Sequence, residues 1–263
     1  MGERKKYHRG RRKKKKGGII STLILIIAIA VFCVSGYQLY KIFGGYHQGK
    51  SEYDKVREVA VHGDDKDEDE FVVDFDELKK INADTVGWIR FYPEPSQISY
   101  PLVQTTDNDL YLNRTFSANE NTVGAIFVNC DNASDFSDRN TIIYGHRMRD
   151  HSMFHDLEKY KDESFWKENP YFYIYTPDGR KLTCHIYSAG IVKDTSSTYL
   201  TQFASDEEYQ AFLDDTKRAG AYHTGVEVTT DQRVVTLSTC TAASDDNRMV
   251  VRGVIESEDV VKK

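Results

Sequence analysis

Apolar and polar residues follow three different rhythms along this chain. Residues 19–35 (IISTLILIIAIAVFCVS) form one apolar run without a charge, interrupted only by Ser and Thr. At about 1.5 Å per residue such a helix covers roughly 25 Å, and with the flanking glycines and Tyr37 it approaches the hydrocarbon thickness of a bilayer. Residues 37–61 are mostly polar, and their pattern predicts a partly helical stalk broken near Gly44 and Gly45. From Phe71 onward, short β-rich runs dominate: 85–91, 98–104, 123–128, 141–144, 171–176, 181–192, 233–239 and 248–255. Pro177-Asp178-Gly179 between two of them is a hairpin signal. Helices are predicted over 74–81, 153–166 and 206–218; the last has acids in its first turn and Gly220 beyond its end. No helix alternates regularly with the strands, so a doubly wound parallel sheet is excluded. Eight short strands with inserted helices predict a mostly β fold, a closed or nearly closed antiparallel-rich barrel.

Charge divides the chain further. Lys and Arg total 35 against 41 Asp and Glu, a net charge of −6. The first sixteen residues hold ten Lys/Arg against Glu3 alone, a net of +9, so the remainder carries −6 minus 9, or −15. A basic tip beside an apolar span stays cytoplasmic by the positive-inside rule, which sends the body outside. A cleaved signal peptide is the competing reading, but its apolar region is shorter and is followed by a small-x-small cleavage site, whereas this run is long and no good site follows it. Cys33 follows the bulky Phe32, against lipidation. The overall acidity argues against nucleic-acid binding. Residues 64–70 (DDKDEDE) read as an extended, self-repelling linker, with an acidic metal or cell-wall contact as the alternative. The expected organisation is a cytoplasmic tip (1–18), a transmembrane signal anchor (19–36), a stalk and acidic linker (37–70), a packed domain (71–257) and a tail (258–263).

Four cysteines in 263 residues are too few for a disulfide scaffold. Cys130 and Cys184 are expected to be reduced. Cys240 ends the run RVVTLSTC. In an alternating strand Val235 and Leu237 share one face while Thr236, Ser238 and Cys240 share the other, which puts the thiol on the polar side at a strand end. A nucleophile fits that position; so does an ordinary half-buried cysteine. Beyond a loop (TAASDDN), Arg248 opens a second strand, and a hairpin would bring it beside Cys240. Its guanidinium suits a substrate carbonyl or a developing oxyanion, or equally an ion pair with Asp245 or Asp246. Arg252 faces the same way four residues on. His146 follows the run NTIIY and Gly145, a place for a general base or for a satisfied structural histidine. His151 and His155 stand at i, i+4, but no third ligand is evident and no metal is expected. No cofactor is expected either: phosphate-cradling glycine loops, dinucleotide fingerprints and nucleophile elbows are absent.

TLSTC at 236–240, Arg248 opening RMVV, and IIYGH at 142–146 together resemble the sortases, membrane-anchored cysteine transpeptidases of Gram-positive cell surfaces. DELKKINADTVGWIRF (76–91), YPLVQTTDNDLYLNRTF (100–116), GAIFVNCDN (124–132) and the late helix 206–218 resemble the class B branch. The resemblance implies a closed eight-stranded β-barrel with an N-terminal helical extension, and catalytic roles for His146, Cys240 and Arg248. It implies as substrate a surface protein with a C-terminal sorting signal of NPxTx type, cleaved after Thr, held as a thioester and passed to an amine of the peptidoglycan precursor or another acceptor. Ser238 and Thr239 are expected to line the substrate pocket, and the stretch 193–220 to shape the groove. Two rivals stay open: an exported thiol protease that hydrolyses the same acyl-enzyme, and a catalytically silent membrane-anchored binding module.

Overall fold

The computed structural model describes residues 17–63, 70–242, 244 and 246–261. Most of the basic tip, all but the last residue of the acidic run, and Asp245 therefore lie outside the described residues. The chain divides into two compact units, one ending at Gly44 and the other running from Gly45 to Lys263.

The first unit holds the apolar part of helix α1 (Gly17–Ala60). Among the described residues this is the one helix long and apolar enough to cross a membrane, and Ile20, Leu23, Ile24, Phe32 and Tyr40 are all exposed on it.

The second unit begins earlier than the sequence pattern suggested. The break expected at Gly44 and Gly45 is absent, and residues 45–60 are helix packed on the barrel rather than stalk. Tyr46, Gly49, Tyr53, Val56 and Ala60 recur at spacings of three and four, which aligns them on one helical face. Tyr53 is buried and donates its hydroxyl to the Gly124 carbonyl at 2.8 Å. Arg57 donates to the Ser99 carbonyl at 2.7 Å. Gly49 sits so close to Val123 that a Cβ would meet its Cγ2 at 3.0 Å. Burial pulls the Glu52 carboxyl upward, but hydrogen bonds from Thr115, Ser117 and Asn119 outweigh it and hold the group below its ordinary 4.5. This docking outweighs the roughly 1 kcal/mol that a mid-helix glycine costs.

After a short antiparallel ribbon, β1 (Val61–His62) with β2 (Val72–Val73), comes α2 (Phe75–Ile81), capped by Asp74 accepting from the Glu77 amide. Eight further strands follow: β3 (Thr85–Phe91), β4 (Ser99–Val103), β5 (Ile126–Val128), β6 (Asn140–Tyr144), β7 (Tyr171–Tyr175), β8 (Arg180–Lys193), β9 (Val234–Cys240) and β10 (Asn247–Val260). They close into a barrel in the order β10-β8-β7-β3-β4-β5-β6-β9. Most pairs are antiparallel, but β4 with β5 and β6 with β9 are parallel. The expected eight-stranded barrel is therefore present, with N-terminal helices before it. Trp88, Ile89, Leu102, Ile143, Leu237 and Val251 fill its core. A smaller apolar cluster gathers Tyr187, Val234 and Val254 against Tyr209, Phe212 and Leu213 of α4 (Asp206–Arg218), after α3 (Glu163–Glu168) in chain order.

Two boundaries differ from expectation. The single helix over 153–166 is a 3-10 segment (His155–Lys161) and then α3, separated where extended Asp162 caps the second by accepting from the Ser164 amide. The expected tail at 258 is still strand: Glu258, Asp259 and Val260 pair with Leu182, Lys181 and Arg180, and Arg180 holds Glu258 at 2.9 Å.

Candidate active site

Three neighbouring strands bring the candidate residues together. β9 and β10 pair antiparallel, and Cys240 stands directly opposite Arg248. Opposed residues of an antiparallel pair share a face, with Cβ atoms about 4.5–5.5 Å apart. On the other side of β9, β6 runs parallel, with Tyr144 opposite Ser238. Two residues beyond, that register carries His146 to the level of Cys240, and the Gly145 amide still donates to the Ser238 carbonyl at 3.2 Å. The alternation read from the sequence holds: Val235 and Leu237 enter the core, whereas Thr236 binds Asn140 and Ser238 binds Tyr199.

His146, Ser238, Thr239, Cys240 and Arg248 all line one open cavity of about 230 Å³, together with Asn108, Leu112, Phe127 and Tyr144. All five residues picked from the sequence thus meet in one place. Cys240 is an exposed free cysteine. Cys33, Cys130 and Cys184 are free as well, and Cys184 is buried in the core.

His146 is held by its surroundings. Its Nε2 lies 2.6 Å from the Leu112 carbonyl, which can only accept, so Nε2 carries a proton and Nδ1 is the nitrogen outside this bond. Its own carbonyl accepts from the Phe154 amide at 2.9 Å. Gly145 matters through close approach rather than turn geometry: a Cβ there would meet the Phe154 ring at 2.7 Å. Gly124 is constrained twice, by a φ of +65° and by the His146 ring 2.7 Å from where a Cβ would stand.

Arg248 is partly exposed, 3.8 Å from Asp194, and donates to the Asn247 carbonyl at 3.2 Å. Among the described residues the acid that approaches it is Asp194, just beyond the end of β8. Arg252, the other candidate, is fully buried and committed to Ser188 and Thr198. Thr239 is buried, and its hydroxyl has no hydrogen-bond partner among the described residues.

The stretch 193–220 was expected to shape the groove, yet none of it lines the cavity. Its contribution is indirect. Tyr199, in a 3-10 turn (Ser197–Tyr199), holds the Ser238 hydroxyl at 2.9 Å and stacks on Tyr144 at 6.2 Å. Helix α4 packs away in the second apolar cluster. Asn108 and Leu112 were missed as wall residues; DNDLYLN offered turn-forming Asp and Asn but no sign of where the loop would fold.

A sortase domain family model matches residues 94–256. The chain belongs to the sortase family. Sortase B of Staphylococcus aureus is 31% identical over 231 residues, covering 88% of this chain and 93% of that protein. The solved Staphylococcus aureus sortase B–substrate complex superposes with a TM-score of 0.65 at 35% identity, over 72% of this chain and 85% of that one. A sortase B structure complexed with triglycine matches equally, with a TM-score of 0.65, 35% identity and 72% and 86% coverage. The chain is a class B sortase, a cysteine transpeptidase.

Proposed function

We propose that this sortase anchors surface proteins: it cleaves a C-terminal sorting signal of NPxTx type after Thr and transfers the acyl group to a cell-wall amine. The supporting observation is the strand register that sets Cys240 opposite Arg248 on β10 and beside His146 after β6, all on one open cavity. Cys240 attacks the Thr carbonyl as the thiolate, because the thiol itself is a poor nucleophile. A protonated His146 favours that thiolate and then gives its proton to the departing amine as the peptide C–N bond breaks. Arg248 donates to the carbonyl oxygen as negative charge develops on it. The thioester that remains is attacked by an incoming amine, whose proton passes to His146, and the thiolate is released. Ser238 and Thr239 line the wall beside the scissile bond.

The substrate and acceptor classes draw support from two neighbours whose structures hold a substrate and triglycine. Residues 19–36 serve as a signal anchor with the basic tip in the cytoplasm and the barrel outside; the exposed apolar face of α1 supports this. Anchoring raises the effective concentration of the enzyme near membrane-bound precursors.

Full-length protein in detergent, incubated with an NPxTx peptide and triglycine, tests the reading. A product joined to triglycine that vanishes with Cys240→Ala is the expected result. Cleaved peptide that never carries the amine would replace transfer by hydrolysis, and unchanged surface display of a substrate by Cys240→Ala cells would sink the enzyme reading altogether.

A further inference from the structure

The turn that follows His146 folds back on itself and gathers three ligating side chains that the transfer chemistry does not use. His151, His155 and Asp156 each place a donor atom within 4.8 Å of the other two, and they form the one such cluster among the described residues. We propose that they form a site for a divalent transition metal of the zinc class, bound by two imidazoles and one carboxylate with the remaining positions open to water.

Geometry and ligand chemistry carry this together. The His151 Nδ1 to Asp156 Oδ1 separation is 3.2 Å. A tetrahedral zinc ion with ligands at about 2.0–2.1 Å sets neighbouring donors about 3.3 Å apart, so this pair already spans one edge of such a site. Asp156 is 3% exposed, so its carboxylate is fixed in place rather than trailing in solvent, while His151 lies over it at 66% exposure. The other carboxylate oxygen is held by Lys159 at 2.9 Å, which orients the group and leaves Oδ1 toward His151. His155 donates from Nδ1 to the Met148 carbonyl, so Nε2 is the nitrogen it has to offer a metal. A ligating histidine whose second nitrogen is tied to a backbone carbonyl is the usual outer arrangement of zinc sites. The two imidazoles lie side by side with ring centroids 4.1 Å apart.

Sequence spacing concealed the third ligand. On a continuous α-helix Asp156 would lie about 100° around from His155, off the shared face of the two histidines. Here His151 and Met153 take left-handed conformations (φ 66° and 57°), and the helical segment starts only at His155. That turn brings residue 156 beneath residue 151.

Zinc titration against a chromophoric chelator tests the site, using the full-length chain in detergent with Cys240→Ala as background so that the active-site thiol takes no metal. The expected result is one zinc per chain bound at least tenfold more tightly than in the same protein carrying His151→Ala and His155→Ala. Zinc should raise the thermal midpoint of the former and leave the latter unmoved. Should His155→Ala unfold the turn, His155→Asn keeps a donor for the Met148 carbonyl while removing the ligand, and must show the same loss. Equal zinc affinity with and without the two histidines, or no stoichiometric binding, overturns the proposal.

Discussion

Two arginines on the same face of β10, four residues apart, have opposite fates. Arg252 is fully buried; its guanidinium ties Ser188 of β8 at 3.0 Å and Thr198 of the 3-10 turn at 2.7 Å, and lies 3.5 Å from the Thr216 carbonyl of α4. Burial pushes its pKa below the ordinary arginine value. Arg248 sits where the strand emerges, a quarter exposed, on the wall of the cavity. The cysteines repeat the contrast. Cys184 is enclosed in the core and burial raises its thiol pKa well above the ordinary 9.0, whereas Cys240 stands exposed at a strand end. Depth along the barrel, more than residue type, decides whether a polar group holds the fold or meets a substrate. The same buried contacts also serve the site at one remove: Arg252 steadies the turn whose Tyr199 holds Ser238.

The largest effects should separate the arginines. Arg252→Ala removes a buried, hydrogen-bonded cation and strands its partners, so urea denaturation should report a loss of about 3–5 kcal/mol. Arg248→Ala should leave that stability within about 0.5 kcal/mol of the parent. Its kcat/KM for peptide transfer should fall on the order of 10²–10³-fold, the usual cost of one oxyanion donor. A stability loss in Arg248→Ala matching that of Arg252→Ala would erase the distinction.

An alkaline titration sharpens the comparison for the thiols. Cys184, Tyr53 and Tyr187 are buried, and each has its pKa raised chiefly by that burial. They stay neutral when folded but ionise in the unfolded chain, from about pH 9 for the thiol and about pH 10 for the phenols. Above those values the unfolded state binds fewer protons, so their contribution to stability is complete below about pH 9 and falls as pH rises, by up to about 1.4 kcal/mol per pH unit for each group. Cys184→Ala should flatten the first part of that fall. An alkylating reagent at neutral pH should modify Cys240 on the native protein and reach Cys184 only on unfolding. Equal labelling rates for the two would contradict their placement.

Ser238→Ala should give the smallest change. It deletes the bond to Tyr199, worth about 1 kcal/mol, and frees that ring to shift against Tyr144. A rise in KM for the peptide, with global stability changed by no more than that amount, is expected; an unchanged KM would mean that the Tyr199–Ser238 contact does nothing for the pocket.

The local pattern of the chain was enough for the eight barrel strands, because alternation and β-branched runs depend only on neighbours, and Thr85–Phe91 was legible to the residue. Residues 236–240 also carried their own facing, so the polar side of β9 and the terminal thiol could be read without coordinates. Where registers and long-range contacts decide, the sequence fell short. The parallel pairing of β6 with β9 joins segments more than ninety residues apart, and no local rhythm encodes it; it alone brings His146 level with Cys240. The same holds for Tyr199, whose tie to Ser238 crosses 39 residues. The helix face at Tyr46, Gly49, Tyr53, Val56 and Ala60 was present in the pattern but hidden among charges, since Gly and Tyr count little toward hydrophobicity until a partner surface covers them. Arg248 and Arg252 are indistinguishable by residue type and strand face. Only closure of the barrel, which buries one and leaves the other at the opening, assigned them different work.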